Sequence, residues 1–356
     1  MFPGNCTVMK NIFIFLLFLI VSCNESSTQH DSGSGNPDKD SRIQVSWFVG
    51  SPVIDVNATA QVIGRGYNWA EGPVWIAGRH TLIFSDVPEN KIFQWKEGDS
   101  AKIYLMPSGY TGTLPRGGEI GSNGLALDNK GRLLLCQSGN RQVARMEGNL
   151  TSPVSKYTSL ASRYKGKKFN SPNDLITDNK GNIYFTDPIY GLPKGANDPE
   201  RELKFEGVYK IDVNGKLSLL IDSISRPNGL ALSPNEDILY LASSDERKPA
   251  WYAYHLNKKG DVISGGVLLD AILLRKTATI KQGPDGFKID KFGNIFSAGP
   301  DGINIISPAG TRIGLIKIPG RPSSNCVFNE TKDVLFVTAD DIVLKINLQP
   351  KADKKE

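Results

Sequence analysis

A short hairpin pattern returns six times along the chain, and each copy opens on an acid or an amide. The openings are Glu71 in AEGPVW, Asn123 in SNGLALD, Asn173 in PNDLITD, Asn228 in PNGLALS, Asp285 in PDGFKID and Asn325 in SNCVFNE. Behind each comes a short apolar strand, a turn and a second apolar strand; Asn123, for example, leads into GLALD, DNKG and RLLLCQ. Alternating and β-branched apolar residues around Asn, Asp and Gly turns are hairpin signals. The openings stand 52, 50, 55, 57 and 40 positions apart. A period near fifty built from hairpins predicts a β-propeller of about four strands per blade. The remaining residues of each period supply the two outer strands, as in FEGVYKIDVNGKLSLLID at 205–222. Residues 46–349 are therefore expected to form one all-β, six-bladed β-propeller, and nothing in that span keeps a helical period.

In a propeller the first strand of each blade lies nearest the axis, so the six openings ring one mouth of the central channel. The second strands return to the same face, which brings Asp86, Gln137, Asp187, Ser243 and Ser244 beside the ring. One Asn or Asp before a glycine only shapes a turn. Six in phase, two of them carboxylates, make a ring of oxygens suited to a hard cation at a central metal site. Calcium, which takes about six to eight oxygen ligands in flexible geometry, fits best. Magnesium, with its tighter octahedron, and zinc, which prefers His and Cys, are the alternatives.

The 356 residues, 39% apolar and 22% charged, are ordinary for a soluble protein, and the net charge of +5 is spread over scattered lysines. No basic patch interleaves with aromatics, which argues against nucleic acid. Residues 1–22 read as a bacterial lipoprotein signal: Lys10, the apolar run Ile12–Val21, then Ile20-Val21-Ser22-Cys23, with Met9 as the better start. Cys23 is the expected lipidation site and mature N-terminus, residues 23–45 a flexible tether, and 350–356 a charged tail. The expected location is the cell envelope, on the periplasmic or the outer face. Cys6 and Cys23 belong to that leader. Cys136 and Cys326, in non-adjacent units, read as two separate buried thiols.

AEGPVW, SNGLALD with GNRQVAR behind it, SPNDL with YFTDPIYG, RPNGLALSPNE and GPDGFKID with GNIF occur together and in order. In this the chain resembles the SMP-30/gluconolactonase/LRE-like family. The resemblance implies a six-bladed propeller with an axial divalent metal, commonly calcium, and hydrolysis of sugar lactones. It implies Glu71, Asn173, Asn228 and Asp285 as metal ligands, Asn123 as a site-lining residue, and Asp174 beside a ligand in SPND. Many bacterial members read CEHG where this chain has Cys136-Gln137-Ser138-Gly139, so the Glu and the imidazole are absent here.

The chemistry expected is metal-assisted ester hydrolysis, with the cation polarising the carbonyl and a carboxylate activating water. Asp285, Asp187 and Asp174 are the candidate catalytic acids, and Glu71 is the least suited because the metal engages it. The glycine- and proline-rich loop SGYTGTLPRGGEI reads as a cover on the metal face. Arg116 in it is a candidate substrate contact or a solvated arginine, and Tyr190 is a candidate wall of the site. Arg141 in GNRQVAR is a substrate contact or a strand-edge charge, with the structural reading preferred. No G-x-S-x-G elbow and no glycine-rich phosphate loop is present. The expected partners are a small sugar lactone and, through the lipid alone, a membrane; the chain is expected to be a monomer or weak dimer. Two rivals remain: a lipid-anchored binding module with a structural calcium, and a different sugar-acting enzyme on the same fold. A sealed ion favours the module, an open cavity the enzyme.

Overall fold

The computed structural model describes residue 1, residues 42–50 and residues 54–348. Apart from Met1, the signal segment, Cys23, the charged tail and nearly all of the tether lie outside the described residues. Six principal sheets form a six-bladed β-propeller. Blade I runs through Ala70–Ile76, Thr81–Asp86, Lys91–Lys96 and Lys102–Leu105, and blade II through Ser122–Leu127, Leu133–Gln137, Gln142–Met146 and Tyr157–Ala161. Blade III comprises Leu175–Thr177, Ile183–Asp187, Gly207–Ile211 and Leu217–Ile221; blade IV comprises Pro227–Leu232, Ile238–Ser243, Ala250–Leu256 and Val262–Asp270. Each is an antiparallel meander from the axis outward.

The last two blades depart from that rule. Blade V (Phe287–Ile289, Ile295–Gly299, Gly302–Ile306, Arg312–Lys317) gains a fifth strand, Gln44–Trp47, on its outer edge. Gln44 and Val45 thus stand in a sheet, inside the stretch read as tether. Blade VI (Asn325–Phe328, Val334–Ala339, Ile342–Asn347) takes its outer strand from the start of the domain, Ala60–Arg65. The periodic pattern gave every unit its own outer strands. In blade VI the N-terminal segment supplies that outer ladder and closes the ring.

Among the described residues the apolar core is six clusters, one in each gap between neighbouring blades. Between blades II and III, Phe169, Phe185 and Tyr209 pack with ring centroids 5.1–5.2 Å apart. Alternating side chains on each blade face two different gaps, which is why the strands read as nearly continuous apolar runs. Cys136 lies between blades II and III and Cys326 between V and VI, and both thiols are free and buried.

Polar clasps tie the blades together near the axis. Ser85 Oγ donates to Asn123 O (2.9 Å), Ser138 Oγ to Pro172 O (2.9 Å) and Thr186 Oγ1 to Asn228 O (2.9 Å). Ser244 Oγ donates to Pro284 O and Ser324 Oγ to Ala70 O, both at 2.6 Å. Each clasp runs from in or beside the inner hairpin of one blade to in or just ahead of the first strand of the next. Glycines make the same approach possible. Gly72, at φ +53°, has no room for a Cβ against Asn123 O, and a Cβ on Gly286 would strike the Asn325 side chain.

Candidate active site

Local backbone irregularity helps to aim three of the openings. The inner hairpins of blades I, II and IV carry β-bulges between Glu71 and Val74, Ser122 and Leu125, and Pro227 and Leu230. A bulge re-aims the side chain beside it. Glu71, Asn123, Asn173, Asn228 and Asp285 all line one cavity of about 340 Å³. The sixth opening, Asn325, lies at its base: its Nδ2 donates to Glu71 Oε2 at 3.2 Å, and its Oδ1 accepts from the Cys326 N–H at 2.8 Å and from Lys288 Nζ at 3.5 Å.

The ring of opening residues is rich in oxygen. Asn123 Oδ1 and Asn173 Oδ1 are buried without a hydrogen-bond partner. Asn228 gives its Nδ2 to Ser244 Oγ (2.9 Å), so its amide oxygen is not used by that bond. Burial, and then the charge of Asp174, pushes the Glu71 carboxyl up; burial, and then the charge of Glu71, pushes Asp285 well up. An orphaned buried polar atom costs about 1–3 kcal/mol, and paired carboxylates resist ionising together. Both penalties vanish if a dication sits among these oxygens. Among the described residues no three Asp, Glu, His or Cys side chains converge as a metal cluster on their own, so a cation here must use amide oxygens. Two carboxylates with two amides suit calcium or magnesium rather than zinc. By this test the residues present fit a hard divalent cation.

The structure distributes the other sequence candidates differently. Asp174 lies buried and off the cavity wall, with Oδ1 accepting from the Leu175 N–H at 2.9 Å. It occupies the position that is glycine in blades I, II, IV and V. Asp187 is fully buried, and its two oxygens accept the N–H groups of Asn170 and Ser171, each at 2.8 Å. It fastens the loop ahead of blade III and does not face the cavity. Asp86 does the same for Asn68 and Trp69. Arg116 donates from Nη2 to Gly191 O at 3.0 Å, strapping the loop before blade II to the Tyr190 loop, and it does not line the cavity. Tyr190 does line it, with Arg226 over its ring at 5.8 Å. Arg141 is buried and held by Phe169 O (2.6 Å) and Glu200 O (3.0 Å). Gln137 and Ser138 are straps too: Gln137 Nε2 donates to Ser108 O at 2.8 Å, a bond that a carboxylate there would not make.

The matching family profile, the SMP-30/Gluconolactonase/LRE-like region, covers residues 69–341. The chain belongs to the SMP-30/gluconolactonase/LRE-like family. Within it, a gluconolactonase of Zymomonas mobilis is 38% identical over 304 residues, which are 83% of this chain and 82% of that protein. The solved gluconolactonase of Xanthomonas campestris superposes with a TM-score of 0.72 at 27% identity, covering 86% of this chain and 94% of that one. A calcium-binding regucalcin from Agrobacterium tumefaciens shares the fold at 16% identity and a TM-score of 0.61, over 81% of this chain and 94% of that one.

For this family member the cavity also holds residues that the repeat did not single out: Trp69, Glu119, Arg226, Glu246, Lys281 and Gln282. Nothing in the repeat marks them, because all six lie outside the strands. Lys288 had a signal of its own. It is the one charged residue at a position three past the opening, where the other units carry Val74, Ala126, Ile176, Ala231 and Phe328.

Proposed function

We propose that this protein is a cation-dependent lactonase that opens a sugar lactone with water. The observation that carries the reading is that five of the six opening residues face one open cavity of about 340 Å³. That size suits a monosaccharide-sized ligand. An ion buried for structure alone would be sealed; here the oxygen ring opens onto a chamber walled by Trp69 and Tyr190 and edged by Arg226, Lys281 and Gln282. Flat aromatic walls beside convergent donors and acceptors are what a polyhydroxylated ring needs.

Glu71, Asn173, Asn228 and Asp285 would hold the cation, calcium by preference. When bound, it supplies Lewis-acid polarisation of the ester carbonyl and charge stabilisation of the developing oxyanion. Asn123 orients the substrate through its side-chain amide. Tyr190 and Trp69 hold the ring and exclude bulk water from its faces. A carboxylate on the wall takes the proton of the attacking water. Asp187 and Asp174, both off the wall, are not in place for that role. We place the chain in a bacterial cell envelope, tethered by lipid at Cys23; the N-terminal sequence alone supports this.

The test is turnover of a panel of aldonolactones by the purified mature protein with calcium, magnesium, zinc or chelator. Hydrolysis that chelator abolishes and calcium restores is the expected result. No turnover under any metal would overturn the lactonase reading and leave a cation-stabilised binding module.

A further inference from the structure

Three carboxylates stand on the cavity wall apart from Glu246: Glu71, Asp285 and Glu119. The first two are the charges that a dication would neutralise. Glu119 is placed differently. It belongs to no hairpin but to the loop between Lys102–Leu105 and Ser122–Leu127.

That loop is firmly anchored. The Tyr110 N–H donates to Ile120 O (2.7 Å), the Gly121 N–H to Val87 O (2.8 Å) and the Gly109 N–H to Asn90 Oδ1 (2.6 Å). Gly191 packs so closely on the Glu119 backbone that a Cβ there would lie 3.2 Å from Glu119 O. The carboxylate so positioned accepts one hydrogen bond, from Asn123 Nδ2 at 3.4 Å, and among the described residues has no cationic partner. Arg116, three residues away, is turned to Gly191 O. Glu119 is close enough to Tyr190 and Asp285 for its charge to act on both.

We propose that Glu119 is the general base of the reaction, and that Asp285 serves only to hold the cation. This rests on the lactonase reading above. Glu119 takes a proton from water as the water oxygen bonds to the lactone carbonyl carbon. The tetrahedral adduct then collapses, the carbonyl-carbon to ring-oxygen bond breaks, and the departing ring oxygen takes the proton back from Glu119. The products are the open hydroxy acid and the original carboxylate. Burial pushes the Glu119 carboxyl up to about 7, against the lowering effect of the Asn123 amide. A base poised near neutrality is the efficient one.

The experiment compares wild type, Glu119→Gln and Glu119→Ala on the best lactone of the panel, with calcium affinity measured by calorimetry and folding by thermal melting. For Glu119→Gln at saturating calcium the expected result is a fall in kcat of roughly 10²–10⁴-fold, with KM and melting unchanged. Formate is expected to restore part of the lost kcat of Glu119→Ala. A Glu119→Gln variant that keeps wild-type kcat overturns the proposal while leaving the lactonase reading intact. A loss of kcat that higher calcium restores overturns it in favour of a ligand role. A wild type inactive on every lactone overturns both.

Discussion

Asn325 Nδ2 donates to Glu71 Oε2 at 3.2 Å, across 254 positions of sequence, and so joins the last opening strand to the first. The same Asn325 side chain accepts from Lys288 of blade V. The carboxylate proposed to hold the cation is thereby fixed by an amide on another blade. Outer partners of this kind tune affinity by about 10–100-fold. Replacing Asn325 with Leu, similar in size and without polar atoms, is expected to weaken calcium binding by about tenfold or more. Calorimetry on the folded variant checks it; unchanged affinity would remove Asn325 from the site.

Calcium binding should strengthen with pH. The Glu71 carboxyl is raised to about 8, first by burial and then by Asp174, and Asp285 is raised as well. In the cation-free protein these groups hold protons that the unfolded chain would release. Their contribution to stability is complete below the ordinary carboxylate range and is lost as pH rises through about 8. Calcium must displace those protons. The gain in melting temperature on adding calcium should therefore grow from pH 5 to pH 8, and calorimetry in buffers of different ionisation enthalpy should detect proton release. A gain independent of pH would contradict the assignment.

Lys288 is the counter-charge at the channel base, lowering both Glu71 and Asp174. Lys288→Met leaves those carboxylates without it. The cation-free protein should melt earlier, while calcium should bind more tightly, on the order of tenfold, since a positive charge near a dication is repulsive. Melting with and without calcium reads both effects; weaker calcium binding in Lys288→Met would exclude this role.

The interblade clasps should be separable from the chemistry. Thr186→Val removes the hydroxyl that reaches Asn228 O and keeps the shape of the side chain. A cost of about 1–3 kcal/mol is expected, because the buried Asn228 carbonyl and the Asp174 N–H, which donates to Thr186 Oγ1 at 3.1 Å, both lose a partner. Phe185→Ala, in the gap between blades II and III, should cost about 3–5 kcal/mol. Urea unfolding measures both, and a Thr186→Val loss below a few tenths would show the clasp to be idle.

Most of the fold was legible because a propeller writes itself as a period. The opening residues could be placed on one mouth of the channel from phase alone. What escaped were features without phase. Ala60–Arg65 belongs to no repeat, so nothing local marks it as the strand that completes blade VI. Asp187 sits at the right strand end, but strand position does not say which loop will fold over a side chain. Here Asn170 and Ser171 claim both its oxygens. Glu119 lies in a loop, where spacing carries no periodic information, and only the backbone bonds that pin that loop put it on the wall. Arg116 shows the converse: a charged residue in the same loop spent on tying it down.

The pairing of Ala60–Arg65 with Ile342–Asn347 bears on how the molecule comes into being. The first strand of that ladder is synthesised near the beginning and its partner near the end, so the circle cannot shut on a partial chain. Until then the gap between blades VI and I, with Ile63, Phe84 and Phe336, has only one wall. The bond between Asn325 and Glu71 crosses the same seam. The closing ladder and this hydrogen bond therefore depend on the same pairing of early and late sequence, and a chain lacking Asn325–Asn347 would lose both.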